Sequence, residues 1–349
     1  MNGAIDLSGS GVCYLVARML DESNVRLSPL AVVGAVGDMQ NRNDDMKLRG
    51  FNRVIVDEAV SHGLLEVKRD LLVAGRETKP IHRALASTMT PFIPGISGEE
   101  DKALAFLTNI DIPVKEGDLW RTMSDLNEAE RRRLLDNLVA YMASKGVAQT
   151  DMKRLVGEVY ILTKEQRFTP LRECREYAAL LNACGRLGRQ GLGLAIAMGD
   201  RRRGVLEEAW STLSRYRGLL AELISSVVGN PSRLIETGQL VIVNGLNLIP
   251  DTLLSVVASI VSTEYDKPLI AFTGTEEGMI KISARAPKTL VEKGLNLSRI
   301  MTEAAESVGG FGGGHDVAAG ALIPLDRREE FLKLVVLLLS GGQTGRGRA

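Results

Sequence analysis

Apolar residues recur at helical steps through most of the first two thirds of the chain and turn strand-like only in the last third. Gly9-Ser10-Gly11 precedes a stripe at Val12, Leu15, Val16, Met19 and Leu20, which predicts a helix over 12–20. Leu27 to Val36 is almost wholly apolar and ends in Gly37-Asp38. It reads as a strand or a buried helix turn, because continuous hydrophobicity suits an element covered on both sides. Taken as a strand it lacks neighbours, since a parallel sheet needs others and only 26 residues precede it. Residues 1–60 therefore read as an incomplete α/β unit. Roughly a few hundred Å² of uncovered apolar surface at ~25 cal/mol per Å² is several kcal/mol, comparable to a domain's net stability. This predicts a partner chain, self-association or local disorder in that segment.

Residues 61–235 read as mainly helical. Asn127 can cap a helix with Glu130 as its capping-box partner, followed by Leu134, Leu135, Leu138, Val139 and Met142. Val205 to Val228 forms a second long amphipathic stretch, with Leu206, Ala209, Trp210, Leu213, Tyr216, Leu220, Leu223 and Val227 on one stripe. Pro91, Pro94 and Pro113 break residues 86–115 into loops. From 236 the pattern becomes β-α-β-β-α-β-α: strands at 239–244, 269–273, 279–283 and 319–324, helices at 251–262, 297–308 and 327–339. Residues 236–340 thus form a mixed-sheet domain, and the glycine- and arginine-rich tail, 341–349, is expected to be disordered. No internal repeat is visible.

Composition narrows the class. The 349 residues carry 43 Lys+Arg and 43 Asp+Glu, so bulk charge attracts neither nucleic acid nor a membrane surface, and any basic site must be local. Cys13, Cys174 and Cys184 form neither a disulfide framework nor a zinc-ligand pattern, which points to a reducing, cytoplasmic setting. The longest apolar run, Leu334 to Leu339, is too short to span a bilayer, and the N-terminus lacks a signal-peptide layout. Aromatics make up only 4%, which disfavours a strand binder built on many stacking rings and leaves backbone amides and arginines as the means of binding.

Four segments could carry chemistry. The strongest is the loop Gly309-Gly310-Phe311-Gly312-Gly313-Gly314-His315, running into Ala318-Ala319-Gly320. Consecutive glycines let a backbone approach a ligand closely and present N–H groups to an anion, and a histidine beside them can donate to a phosphate oxygen. Lys281, Ser283 and Arg285 share one face of a strand, and a Ser–Arg pair suits a phosphodiester. Asp38 follows a buried apolar element, as ligand-binding carboxylates do at the ends of α/β strands, and an oxygen ligand suits a divalent metal. In Leu180 to Gln190, Cys184 reads as a structural cysteine at a helix end, and Gly185, Gly188 and Arg189 as a helix junction. Arg131–Arg133 and Arg201–Arg203 read as solvated helix faces, and His62 and His82 receive no role.

Together these segments resemble the archaeal RecJ-like branch of the DHH phosphoesterase superfamily. The Gly312-Gly313-Gly314-His315 loop with Ala318-Ala319-Gly320 looks like the signature of the DHH-associated domain, and Ser283-x-Arg285 sits where that family has a matching strand. Ser8 to Val12 and Gly34 to Asp38 look like the final part of a DHH domain, and Leu181 to Arg186 resembles an archaeal RecJ-like segment. The resemblance implies a partial DHH-type α/β unit (1–60), a helical connection (61–235) and a DHH-associated nucleic-acid-binding domain (236–340). It also implies a two-metal Mn²⁺- or Mg²⁺-dependent nuclease acting on single-stranded DNA or RNA. Asp38 matches the last metal-binding aspartate. Arg285 and His315 match phosphate-contacting positions beside the Gly312–Gly314 amides.

The chain departs from that pattern in one respect. It has no Asp-His-His and no Asp-x-Asp before Asp38, and Asp44-Asp45 comes too late in order. Two-metal chemistry needs several converging ligands. Two readings follow. One is a non-catalytic single-strand binder in replication or repair assemblies, with GINS and MCM helicase components as partners. The other is the C-terminal part of an exonuclease whose DHH half is missing or separately encoded.

Overall fold

The structure, a computed structural model, describes residue 3 and residues 5–341. Of the tail expected to be disordered, Gly341 closes a helix and 342–349 lie outside the described residues. The chain divides into two compact units, Met1–Leu213 and Ser214–Ala349. The boundary falls inside a long helix.

The first unit begins with three helices, α1 (Gly9–Leu20), α2 (Ser28–Gly37) and α3 (Gly50–Ser61). Ser8 caps α1 by accepting from the Gly11 N–H at 3.0 Å. The continuous apolar segment is α2, not a strand. Pro29 stands in its first turn, where the fixed φ of proline suits a helix and its missing N–H costs nothing. Apolar positions all round suit a helix covered on every side, and Val32, Val33, Ala35 and Val36 are all buried. Among the described residues of 1–60 there is no strand, so the incomplete sheet inferred there is not formed, and α2 leaves no uncovered face. The apolar residues that remain exposed here include Val12, Val16, Met19 and Leu20 on α1 and Phe51, Val54 and Val60 on α3.

The middle region is not purely helical. It opens with strand β1 (Leu65–Leu71) and continues through α4 (Ile81–Ala86) and α5 (Glu100–Asn109). A small hairpin of β2 (Lys115–Glu116) and β3 (Leu119–Trp120) follows, then α6 (Glu128–Ser144), α7 (Gln149–Lys153) and strand β4 (Val156–Leu162). β1 and β4 pair antiparallel, with Leu65 opposite Leu162. The α6 capping box forms in both directions, Glu130 N–H to Asn127 Oδ1 and Asn127 N–H to Glu130 Oε2, each at 2.9 Å. The core between these elements is built on Leu85, Ile93, Leu107, Leu134, Leu138 and Met142. Next come α8 (Cys174–Arg186), α9 (Gln190–Ala197) and α10 (Arg203–Val228). Cys184 is fully buried near the end of α8, and Gly188 turns the chain at φ +71° into α9. Burial raises the Cys184 pKa, so packing accounts for this thiol.

The second unit holds a six-stranded sheet. Its elements are β5 (Leu234–Glu236), β6 (Val241–Asn244), α11 (Asp251–Val261), β7 (Leu269–Gly274), β8 (Met279–Arg285), α12 (Lys288–Val291), α13 (Leu297–Ser307), β9 (Phe311–Gly314), β10 (Ala318–Pro324) and α14 (Arg328–Gly341). Strand order is β5-β6-β7-β8-β10-β9, with β6 and β7 parallel and every other pair antiparallel. Alternation splits the sheet into two faces. Ile280, Ile282, Ala284, Ala319, Ala321 and Ile323 pack on α13 and α14. Val241, Val243, Leu269 and Ala271 pack with α11 and the end of α10 on the other side. The sheet is thus a middle layer between helices, and β9 is an edge.

Candidate nucleic-acid interface

The glycine segment read as a loop is strand β9, paired antiparallel with β10 so that Gly314, Gly313, Gly312 and Phe311 oppose Ala319, Gly320, Ala321 and Leu322. Its glycines differ in purpose. A Cβ on Gly312 would stand 2.1 Å from the Met301 carbonyl oxygen, so α13 lies directly on the strand backbone. Gly314 has φ +139°, which side chains rarely adopt. Gly313 faces the opposite way and an added Cβ there would meet nothing within 4 Å.

Register brings four of the candidate residues together. Gly313, Gly320 and Ser283 form one row across β9, β10 and β8. In the next row Ala318 opposes Arg285, and the His315 N–H donates to the Ala318 carbonyl at 2.8 Å. All these positions share the sheet face on which α11 packs. The result is an open strip floored by Gly313, Gly320 and Ala318, with Ser283 and Arg285 on one side and exposed His315 at the β9–β10 turn. Antiparallel pairing also assigns the free edge. Since His315 bonds to Ala318, Gly314 and Gly312 occupy the non-bonded pairs and their N–H groups point away from β10. The Gly312 carbonyl on that edge accepts from Thr302 Oγ1 at 3.2 Å.

Arg285 is held more firmly than a surface phosphate contact needs to be. Its Nε donates to Ser259 Oγ at 2.8 Å, Nη2 to Ser255 O at 3.1 Å and Nη1 to Ser283 Oγ at 3.0 Å. It thus fastens β8 to α11, and Ser283 is buried beneath it. Lys281, on the same face, pairs with Asp251 at 3.5 Å. Arg285→Ala is expected to lower stability by about 1.5–3 kcal/mol, as charged hydrogen bonds are lost. A chemical-denaturation midpoint equal to wild type would contradict this.

One residue was not singled out by the sequence reading. Phe311 shares the open face with Gly313 and His315 by strand alternation and is 77% exposed. A large ring left in water beside a run of glycines is the signal that could have marked it.

Asp38 lies in the other unit. It is exposed and accepts from Gln40 Nε2 at 2.8 Å. Gln40 Oε1 in turn accepts from Asn52 Nδ2 at 2.6 Å. Among the described residues no group of three or more His, Cys, Asp or Glu side chains is placed to hold a metal ion. The residues around Asp38 do not fit the two-metal centre that the resemblance implies, and no reaction step is derived through one.

The DHH-CID domain matches residues 73–156 and the DHHA1 domain residues 239–341. The uncharacterized protein MJ0831 of Methanocaldococcus jannaschii is 30% identical over 335 residues, covering 96% of this chain and 68% of that protein. The chain belongs to the DHH superfamily. Two solved folds resemble this DHH-superfamily chain. RecJ of Thermus thermophilus, solved with Mg²⁺, has a TM-score of 0.50 at 14% identity, covering 95% of this chain and 38% of RecJ. CDC45 of Entamoeba histolytica has a TM-score of 0.53 at 12% identity, covering 89% of this chain and 68% of CDC45. The chain thus spans well under half of the RecJ that it matches. Among the described residues no helix is long and apolar enough to cross a membrane.

Proposed function

We propose that this RecJ-like chain binds single-stranded nucleic acid on the DHHA1 unit without cleaving it, in the cytoplasm, within replication or repair assemblies. The observation that carries this reading is the open sheet edge, where the glycine amides, His315 and Phe311 converge beside Arg285 and Ser283. Outward N–H groups of Gly312 and Gly314 suit phosphate oxygens, as does a histidine donor. Phe311 offers a face for a base, and stacking of that kind is tolerant of sequence. GINS and MCM helicase components are the partners that the resemblance implies.

Phe311→Ala is expected to weaken binding of a short oligonucleotide by about 1–3 kcal/mol, the usual worth of one base–aromatic stack. Because the ring is exposed, stability should be unchanged. Fluorescence anisotropy and thermal melting together test this, and wild-type affinity in the variant would remove Phe311 from the interface. Salt dependence should be shallow. Each neutralised phosphate of a single strand adds roughly −0.7 to the log–log slope, and with Lys281 paired to Asp251 the slope from Arg285 is about −0.7. A slope several times steeper would point to a different, more basic surface.

A second reading is favoured by the chain spanning 38% of RecJ. On that reading it is the C-terminal part of an exonuclease, and Mn²⁺- or Mg²⁺-dependent cleavage arises once a separate DHH chain is supplied.

A further inference from the structure

A second set of donors lies in the first unit. Asn41 and Arg42 close the turn after α2, where Met39 takes φ +60° and the Arg42 N–H donates to the Met39 carbonyl at 2.9 Å. Arg175 stands in the first turn of α8. α8 packs on α2 so closely that a Cβ on Gly37 would lie 3.3 Å from the Ala178 Cβ.

Several arginines of the first unit are neutralised or bonded. Arg53 meets Glu158 at 2.8 Å, Arg154 meets Asp151 at 2.8 Å, and Arg201 meets Glu165 at 2.6 Å. Arg172 donates to three backbone carbonyls. By contrast, the Arg42 and Arg175 guanidinium groups make no hydrogen bond or ion pair with any described residue. Arg175 Nη2 is buried without a partner, and so is Nδ2 of Asn41, a residue only 2% exposed.

The Arg175 charge acts against that of Arg42. Arg42 is exposed as a residue, and desolvation lowers its pKa, with the charges of Arg175 and Arg154 the next causes. Burial lowers that of Arg175. Glu173 is the carboxyl that acts on Arg175. Burial raises its pKa, and its Oε1 has no partner. Unpaired buried donors and mutually repelling cations cost stability unless a ligand satisfies them.

We propose that Asn41 Nδ2 and the guanidinium groups of Arg42 and Arg175 form a binding site for a phosphate oxyanion, either the terminal phosphate of a strand or free phosphate. Two planar forks and an amide match the tetrahedral oxygens of that group. The turn is held in advance of binding. Gln40 bridges Asp38 to Asn52, and Asn52 Oδ1 accepts from the Ser8 N–H at 3.1 Å. The strand-end source rests on the nucleic-acid reading above, whereas the site itself does not.

The test uses the full chain and two ligands. Inorganic phosphate, titrated against chloride of matched ionic strength, is expected to raise the wild-type melting temperature with saturation. Arg42→Gln, at a position exposed enough to leave folding intact, should abolish the saturable rise. Arg203→Gln, in the exposed pair with Glu207, should keep it. Equal rises in wild type and Arg42→Gln, or none in wild type, overturn the site. The second ligand is an oligonucleotide with or without a terminal phosphate. A gain of about tenfold from that phosphate, lost in Arg42→Gln, supports the strand end as the source. A saturable phosphate rise without that gain supports free phosphate. If no strand binds while the phosphate rise persists, the nucleic-acid reading fails and this site stands. If strands bind but the phosphate rise is absent, this site fails alone.

Discussion

Gly312→Ala is expected to destabilise the C-terminal unit by about 3 kcal/mol, the upper part of the usual cost of overpacking, and to remove strand binding with it. The obstacle is the Met301 carbonyl, only 2.1 Å from the added Cβ. A backbone carbonyl in α13 cannot swing aside as a side chain would, so either α13 lifts or β9 leaves the sheet edge. Gly313→Ala is the internal control. Its Cβ would enter open space, so stability should change little. Any loss of affinity in that variant reports the need for a bare strand floor beneath the ligand. Urea unfolding and oligonucleotide anisotropy on both variants separate the two effects. If Gly312→Ala is as stable as Gly313→Ala, the packing of α13 on β9 is wrong.

Asp70→Ala should cost the first unit about 3–5 kcal/mol, because it leaves a buried cation unpaired. Arg76 is 3% exposed and its Nη2 meets Asp70 Oδ2 at 2.5 Å. Arg131 reaches the same oxygen at 3.3 Å from α6, and Oδ1 accepts from the Leu71 N–H at 2.7 Å. One carboxylate therefore joins β1, the loop after it and α6. Replacing both members of the pair with apolar residues, Asp70→Leu with Arg76→Met, should cost less than Asp70→Ala alone, since no charge is then stranded. Calorimetric unfolding of the single and double variants decides. A double variant less stable than the single would mean that packing, not the unpaired charge, sets the cost.

How far the sequence foretold the fold varied with the physics of each segment. β7 and β8 were legible because apolar runs flank a polar turn at 274–278. α6 was legible through its capping box. Leu27–Val36 was ambiguous because an apolar run with no alternation has no period, and Pro29 was the clue that favoured helix over strand. β1 escaped notice because Glu66, Lys68 and Arg69 crowd a strand in which few apolar side chains are buried. β9 was hidden for a different reason. Three glycines carry no strand preference, and its pairing is imposed by β10 and by the backbone of α13. The site was legible in part as residue types, since Gly313, His315, Ser283 and Arg285 do share one sheet face, whereas Gly312 and Gly314 lie on the other. What the sequence could not reveal was that Arg285 is tied to α11, that Phe311 stands open beside His315, or that Arg175 Nη2 and Asn41 Nδ2 are buried without a partner.

One assay separates strand binding from strand cleavage. End-labelled single-stranded DNA and RNA are incubated with the chain and Mn²⁺ or Mg²⁺, with binding and degradation read from the same samples. The expected result is a retained complex with intact strands, weakened by Phe311→Ala and insensitive to Asp38→Ala. Degradation that disappears in Asp38→Ala would contradict it and show that the chain assembles a working metal centre.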